Sequence, residues 1–271
     1  MASRRRPANV HLFYRPQEII EKTIRRHKDK VVISCSFGKS STAVLSMARE
    51  IDKNVKVMLI NTGVEYSESL AYAKRLRRKW KLNLIEIKPK PGVTFWTICK
   101  TYGFPEIRSS KSKYHTPRCC YHLKEGPADD WCYDHDIEAV ILGLQACESN
   151  NRRMLIGRYD NCREEKDGIK FCGQRYFVKQ RGRWHINPIA HWSESDVWDY
   201  LNKKKVPINP VYQKWGGIMK RQGCRTCTGY IGWQKVLKVV NPKLYNYILS
   251  KSVEYKSPWI IPPSERIKTH I

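Results

Sequence analysis

The chain predicts an α/β fold: a parallel sheet with helices on both faces, followed by a cysteine-bearing C-terminal segment. Three observations predict it. Short apolar runs recur at Lys30–Cys35, Val55–Asn61, Asn83–Ile87 and Ala139–Leu144. Stretches with helical periodicity separate them, and that alternation argues for parallel strands joined by right-handed crossovers. A turn of small residues, Ser34-Cys35-Ser36-Phe37-Gly38-Lys39-Ser40-Ser41, follows the first run.

Taken in order, Lys30–Cys35 is a buried strand, and the next helix turns Val44, Leu45 and Met47 inward. Val55–Asn61 is a second strand ending at Thr62-Gly63. Ser67 is placed to cap the following helix, whose Leu70, Ala73, Leu76 and Trp80 share a face while its basic residues point outward. Pro89–Pro117, rich in Pro, Gly, Ser and Lys, reads as a long loop with a short helix, a mobile lid. Asn150–Arg183 is charged and Gly-punctuated, a hairpin or an insert. Ser193-x-x-Asp196 caps a helix with Val197, Trp198 and Leu201 on its inner face. The chain then runs irregularly through Gly216-Gly217 to a Cys224/Cys227 loop and closes with helices over Gln234–Val240 and Pro242–Ser250. This divides it into an N-terminal extension (1–24), a nucleotide-binding domain (25–215) and a cysteine loop with helices (216–271).

At 271 residues, 41% of them hydrophobic, the chain can bury a substantial core. No apolar run approaches the ~20 residues that cross a bilayer. The basic start, Met1 to Pro7, has no apolar segment behind it and is not a secretory signal, so a cytoplasmic protein without membrane contact is expected. Charge is the outlier. With 51 basic and 25 acidic residues the net charge is +26, a field that attracts a multiply charged nucleotide or a nucleic acid. Ten cysteines in a long, helix-rich chain argue for thiols used for metal or chemistry rather than a disulfide scaffold.

Two groups of residues carry chemistry. In the turn from Ser34 to Ser41, small side chains and Gly38 let backbone N–H groups approach an anion, the following helix adds its positive end, and Lys39 adds a charge. The spacing is not that of a Walker loop. The second group is the adjacent pair Cys119-Cys120 with the distant Cys224-Arg225-Thr226-Cys227. An adjacent pair chelates one tetrahedral ion awkwardly, whereas a cluster offers separate irons to neighbouring thiolates. An iron–sulfur centre and zinc are both open on this reading. Cys35, Cys132 and Cys162 have no such partner and read as buried.

With its flanks, the turn resembles the PP-loop superfamily and, within it, the phosphoadenylyl-sulfate and adenylyl-sulfate reductase family of iron–sulfur type. Ser36 to Ser41 lies over the Ser-Gly-Gly-x-Asp-Ser loop of ATP-cleaving members but has Phe37 and Ser40 where those carry Gly and Asp; its form is similar to the reductases. Asn61-Thr62-Gly63 resembles the Asp-Thr-Gly element beside the adenosine. Pro117 to Lys124 resembles the cysteine-pair segment. Gly143 to Ser149 with Arg152-Arg153 resembles a Gly-x-Arg-x-x-Glu/Gln-Ser-x-x-Arg element, with Gln145 at the arginine. Asn187 to Trp198 resembles the Pro-x-x-x-Trp segment.

The resemblance implies a reductase that takes adenylyl sulfate or phosphoadenylyl sulfate to sulfite in sulfate assimilation, working with a thioredoxin-type donor as a homo-oligomer. It implies substrate contacts from Ser34, Ser36, Phe37, Gly38, Lys39, Ser40, Ser41, Asn61, Thr62, Gly63, Gly143, Gln145, Glu148, Ser149, Arg152 and Arg153. It implies a 4Fe-4S cluster on Cys119, Cys120, Cys224 and Cys227, with Lys124 and Arg225 balancing charge between cluster and sulfate. The family's nucleophile sits in a C-terminal Glu-Cys-Gly-Leu-His motif, and no cysteine follows Cys227; Cys172 is the nearest echo. That departure keeps two alternatives open: an ATP-dependent sulfur transferase acting on tRNA or DNA, and a non-catalytic nucleotide-binding subunit.

Overall fold

The strand alternation decides the layers. The computed structural model describes residues 15–107, 116–158 and 173–261. Among them β1 (Val31–Ser34), β2 (Lys56–Ile60), β3 (Asn83–Ile87), β4 (Ala139–Leu142), β5 (Arg175–Val178) and β6 (Arg183–Ile186) form one sheet of order β3-β2-β1-β4-β6-β5. Ile33 stands level with Val57 on one side and Ile141 on the other. These three point to one layer, and Val32, Met58 and Val140 to the other. Strands covered on both faces must be apolar throughout, which is why β1 and β4 read as unbroken apolar runs.

The helices are α1 (Pro16–His27), α2 (Lys39–Ile51), α3 (Ser67–Trp80), α4 (Phe95–Tyr102), α5 (Arg118–Cys120), α6 (Gly126–Asp134), α7 (Asn150–Arg158), α8 (Glu194–Lys203), α9 (Trp233–Val240) and α10 (Pro242–Ser250). Ile19 and Ile20 of α1, Leu45 and Met47 of α2, Tyr72 and Leu76 of α3, and Val197 and Leu201 of α8 cover one face. Cys132 of α6, with Ile137, covers the other.

The sheet is mostly parallel; its antiparallel pair among the described residues joins β5 to β6 through a turn closed by Gly182 at φ 60, so the end of the charged 150–183 stretch takes the hairpin reading, at the sheet edge. Two expectations need correction. Ser67 is the first residue of α3 rather than its cap; Tyr66 holds the cap position, and the Ser67 hydroxyl donates to Glu68 instead. The 89–107 stretch is anchored rather than a mobile lid. Phe95, Ile98 and Cys99 of α4 share a second core with Trp233, Leu237, Tyr245 and Ile248 of α9 and α10. The turn after α4 is tied to the C-terminal segment by Phe104 N–H donating to Ser257 Oγ (2.7 Å) and Thr228 Oγ1 donating to Pro105 O (2.6 Å). Truncating a buried member such as Ile248 costs about 2–5 kcal/mol.

Residues 118–134 run as one helical stretch with a widened turn at Tyr121–Glu125. Its cause is local. Pro127 has no N–H to give to the Leu123 carbonyl, and Gly126 N–H reaches five residues back to Tyr121 O. Lys124 sits in that widened turn.

Candidate nucleotide and cysteine site

The loop after β1 is built by close approach. Phe37 holds a positive φ of 60 because its ring is fully buried edge-on to Tyr72, centroids 6.2 Å apart. Gly38 precedes α2, and a Cβ there would lie 3.3 Å from Tyr212 Oη. At the end of β4, a Cβ on Gly143 would lie 2.7 Å from Ser41 N, so only glycine lets β4 abut the start of α2. Ser34, Ser36, Gly38, Ser40, Ser41, Gly143 and Gln145 are thereby gathered where the carboxyl ends of β1 and β4 meet the positive end of α2, the place an open α/β sheet binds ligands. The hydroxyls of Ser36 and Ser41 stand 3.4 Å apart.

Three of the residues expected to meet a ligand, Lys39, Ser40 and Gln145, already bond within the protein. Lys39, expected to face a ligand, turns away: its ammonium donates to Lys220 O (2.7 Å) and pairs with Glu194 (3.1 Å). Its N–H donates to Tyr212 Oη (3.0 Å). Buried Ser40 donates to buried Gln145 Oε1 (2.6 Å), and Gln145 Nε2 donates to Trp192 O (3.1 Å) and Ser193 O (3.0 Å). Ser40, which departs from the loop of ATP-cleaving members, and Gln145, which stands where an arginine is usual, thus satisfy each other. Beyond Gln145, Glu148 accepts its N–H and pairs with Arg152; Ser149 accepts the N–H of Arg152 on its hydroxyl and of Arg153 on its carbonyl. Arg153 is exposed.

At the end of β2, Asn61 Oδ1 accepts Gly63 N–H (3.0 Å), and Gly63 holds φ 81. Thr62 Oγ1 donates to Glu65 (2.6 Å) and lies 3.8 Å from Cys224 Sγ. Val64 O accepts Arg225 N–H (2.9 Å), which docks the Cys-x-x-Cys loop against this element.

Cys119, Cys120, Cys224 and Cys227 line one cavity with Lys124 and Arg221. The thiolates of Cys224, then Cys120, hold Lys124 above its ordinary value, against the opposing effect of burial. Burial raises Cys227 first, with the neighbouring thiolates adding. Cys119 is raised by its hydrogen bond with Cys120 and by burial. No three His, Cys, Asp or Glu side chains among the described residues converge tightly enough for a single ion, so the four thiols wall a chamber rather than a point.

Sequence reasoning brought the four cysteines and Lys124 together but missed several neighbours. Arg221 lines the chamber, while Arg225 is exposed and is absent from its wall. Arg221 stands three residues before Cys224, so a scan of the flanking cations finds it. Tyr66 and Tyr230 also line the cavity, and buried Cys99 adjoins it, raised by burial and then by Cys227. Nothing local in the sequence announces Tyr212. Cys35 and Cys132 are buried, Cys35 pushed up to about 11 by burial. Cys147 is the exposed thiol among the described residues; Cys162 and Cys172 lie outside them.

A mostly parallel sheet, a small-residue turn opening a helix at the strand ends, and a thiol-walled chamber beside it define an α/β protein of the PP-loop kind. The phosphoadenosine phosphosulfate reductase domain matches residues 30–230, and the chain belongs to that family. It is 26% identical over 216 residues to an adenosine 5'-phosphosulfate reductase of Bacillus cytotoxicus, covering 79% of this chain and 80% of that one. An uncharacterized protein of Methanocaldococcus jannaschii is 28% identical over 231 residues, 83% of this chain but 42% of its own length. Among solved structures, a phosphoadenylyl-sulfate reductase from Candida auris in a phosphate complex shares the fold, with TM-score 0.53, 17% identity and coverage of 76% and 87% of the two chains. No helix among the described residues is long and apolar enough to cross a membrane.

Proposed function

We propose that the chain is a thiol-dependent reductase that releases sulfite from adenylyl sulfate or its 3'-phosphorylated form. The observation that carries this reading is one chamber, walled by four cysteines from two distant segments with Lys124 and Arg221, near the start of α2, where Lys39 bonds Lys220 O and Gly38 abuts Gln222. Soft thiolate donors sharing one cavity suit a 4Fe-4S cluster on Cys119, Cys120, Cys224 and Cys227, with zinc the alternative on the same ligands. When bound, such a cluster supplies a polarisable metal centre beside the sulfate.

The chain's own part is positioning and charge. Backbone N–H groups at the start of α2 and the Ser36 and Ser41 hydroxyls receive the nucleotide phosphate. Asn61, Thr62 and Gly63 border the adenosine side. Lys124 and Arg221 hold the anionic sulfate against the thiol wall and keep its charge from being stranded in a poorly solvated chamber. A thiolate attacks the sulfate sulfur, the bond from sulfur to the bridging phosphate oxygen breaks, and the nucleotide leaves with that electron pair. A second thiol, from a thioredoxin-type donor, attacks the sulfur that now carries the sulfo group and releases sulfite, leaving a disulfide. We place this reaction in sulfate assimilation in the cytoplasm, in a homo-oligomer.

The test is anaerobic purification with iron and acid-labile sulfide quantified, then sulfite release measured from both nucleotides with a thioredoxin system. The expected result is about four irons per chain, a stoichiometry set by the proposed cluster. Cys120→Ala and Cys227→Ala should each lose them, and sulfite should form from one of the two substrates. Zinc alone, or intact iron without sulfite from either substrate, overturns the reading.

A further inference from the structure

One surface falls outside the reductase reading, whose substrate is a single nucleotide. Six cations, Lys74, Arg75, Arg77, Arg78, Lys79 and Lys81, crowd the outward side and C-terminal end of α3, and all are exposed. None forms an ion pair among the described residues. Some cations in or at the ends of other helices do have an acid beside them: Glu21 beside Arg25, Glu148 beside Arg152, Glu254 beside Lys251 and Glu50 beside Lys204. Glu68, the acid in the first turn of α3, is taken by Lys214.

Solvation and the helix dipole do not account for this face. A dipole favours cations only within the last turn. That covers Arg77, Arg78 and Lys79, but Lys74 and Arg75 lie a further turn back. Lys74 with Arg78, and Arg75 with Lys79, are like-charged neighbours four residues apart, each pair destabilising the helix. A merely soluble face would mix both signs. The face also lacks what a bilayer needs, because Tyr72, Ala73 and Leu76 are buried and no exposed aromatic or long aliphatic side chain stands among the cations. α3 starts just past the ligand end of β2 and runs about 20 Å back toward the amino ends of the strands, so the patch is separate from the nucleotide site.

We propose that the outward face of α3 binds the phosphate backbone of a double-helical nucleic acid. Its cations neutralise successive phosphates and release condensed counterions, giving salt-sensitive binding without sequence preference.

The test uses the full chain with fluorescently labelled 20-base-pair RNA and DNA duplexes, the two sources of that backbone, from 50 to 200 mM KCl. One variant combines Lys74→Gln, Arg78→Gln and Lys81→Gln. A control with the same net charge combines Lys203→Gln, Lys235→Gln and Lys243→Gln. The α3 variant should lose tenfold or more in affinity at the lower salt. Its slope of log affinity against log salt should shrink by about 0.9 for each duplex DNA phosphate contact removed. The control should stay within about twofold, and the α3 variant should melt close to the parent, since relief of the Lys74–Arg78 repulsion offsets the lost contact of Arg78 with the helix dipole. Equal losses in the two variants would assign binding to bulk charge and overturn the proposal. So would a lowered melting temperature confined to the α3 variant, no duplex binding by the parent, or patch-dependent binding to phosphatidylserine vesicles or polyglutamate in place of a duplex.

Discussion

Gly143→Ala tests how the loop end of the sheet is assembled. The added Cβ would stand 2.7 Å from Ser41 N, 2.8 Å from Ser40 C and 2.8 Å from Ser41 Cα. Ordinary contacts begin near ~3.5 Å, so β4 and the start of α2 must part by roughly half an ångström or more. All three atoms are backbone of the first helical turn, and no side chain can swing aside. Overpacking of this kind costs about 1–3 kcal/mol, and rigid neighbours place it in the upper half of that range. For a chain of this size that lowers the melting temperature by about 4–10 °C. The N–H groups of Ser40 and Ser41 move with the backbone, so the rise in melting temperature produced by adenylyl sulfate should shrink as well. Gly157→Ala is the comparison: nothing lies within 4 Å of a Cβ there, and alanine should stabilise α7 by about 0.5–1 kcal/mol. Circular-dichroism melts with and without nucleotide read both effects. A Gly143→Ala protein that melts and responds like the parent would refute the close-approach argument.

Other outcomes follow from the same structure. Lys39→Met removes the Glu194 ion pair and the bond to Lys220 O at a side chain only 9% exposed, so melts should show a loss of about 1–2 kcal/mol. Faster proteolysis between Tyr212 and Cys224 should accompany it. Metal loading should tighten as pH rises from 6 to 9. Cys119 and Cys227 are raised above the ordinary thiol value, so each must surrender a proton to bind, and iron–sulfur reconstitution that proceeds equally well across that pH range would contradict this. His185 is lowered to about 3, mainly by burial. As pH falls below the unfolded value of about 6.5, the unfolded chain takes a proton that the folded chain refuses, so stability drops until pH nears 3. His185→Gln should flatten that slope in urea titrations at pH 7, 5 and 4.

β1, β2 and β4 were legible because burial on both faces demands apolar runs, whereas β5 and β6 lay in a stretch read only as a hairpin or an insert; the edge strand β3 and α10 fall where the pattern places them, at Asn83–Ile87 and Pro242–Ser250. The two cysteine segments were legible as a pair because thiols four residues or fewer apart are rare outside chemistry. The anchoring of 89–107 was not legible. Its composition is that of a loop, and what fixes it is Ser257, more than 150 residues away. The turning of Lys39 was hidden for the same reason, since the pull comes from Glu194 and Lys220 in remote segments. Arg225 meets the site in a way its place beside Cys224 does not reveal: its N–H holds Val64 O, and its exposed guanidinium acts by charge on Tyr66 of the chamber wall.

The Ser40–Gln145 pair bears on which sequences can be reached from this one. Both side chains are buried, and their hydrogen bond is neutral at each end. An arginine at position 145 alone would bury a cation beside the positive end of α2 with only the neutral Ser40 to meet it, at a cost of about 3–5 kcal/mol. That is a large share of the stability of an ordinary domain. The two positions are therefore epistatic: a lineage carrying this pair gains an arginine at 145 only if position 40 changes in step.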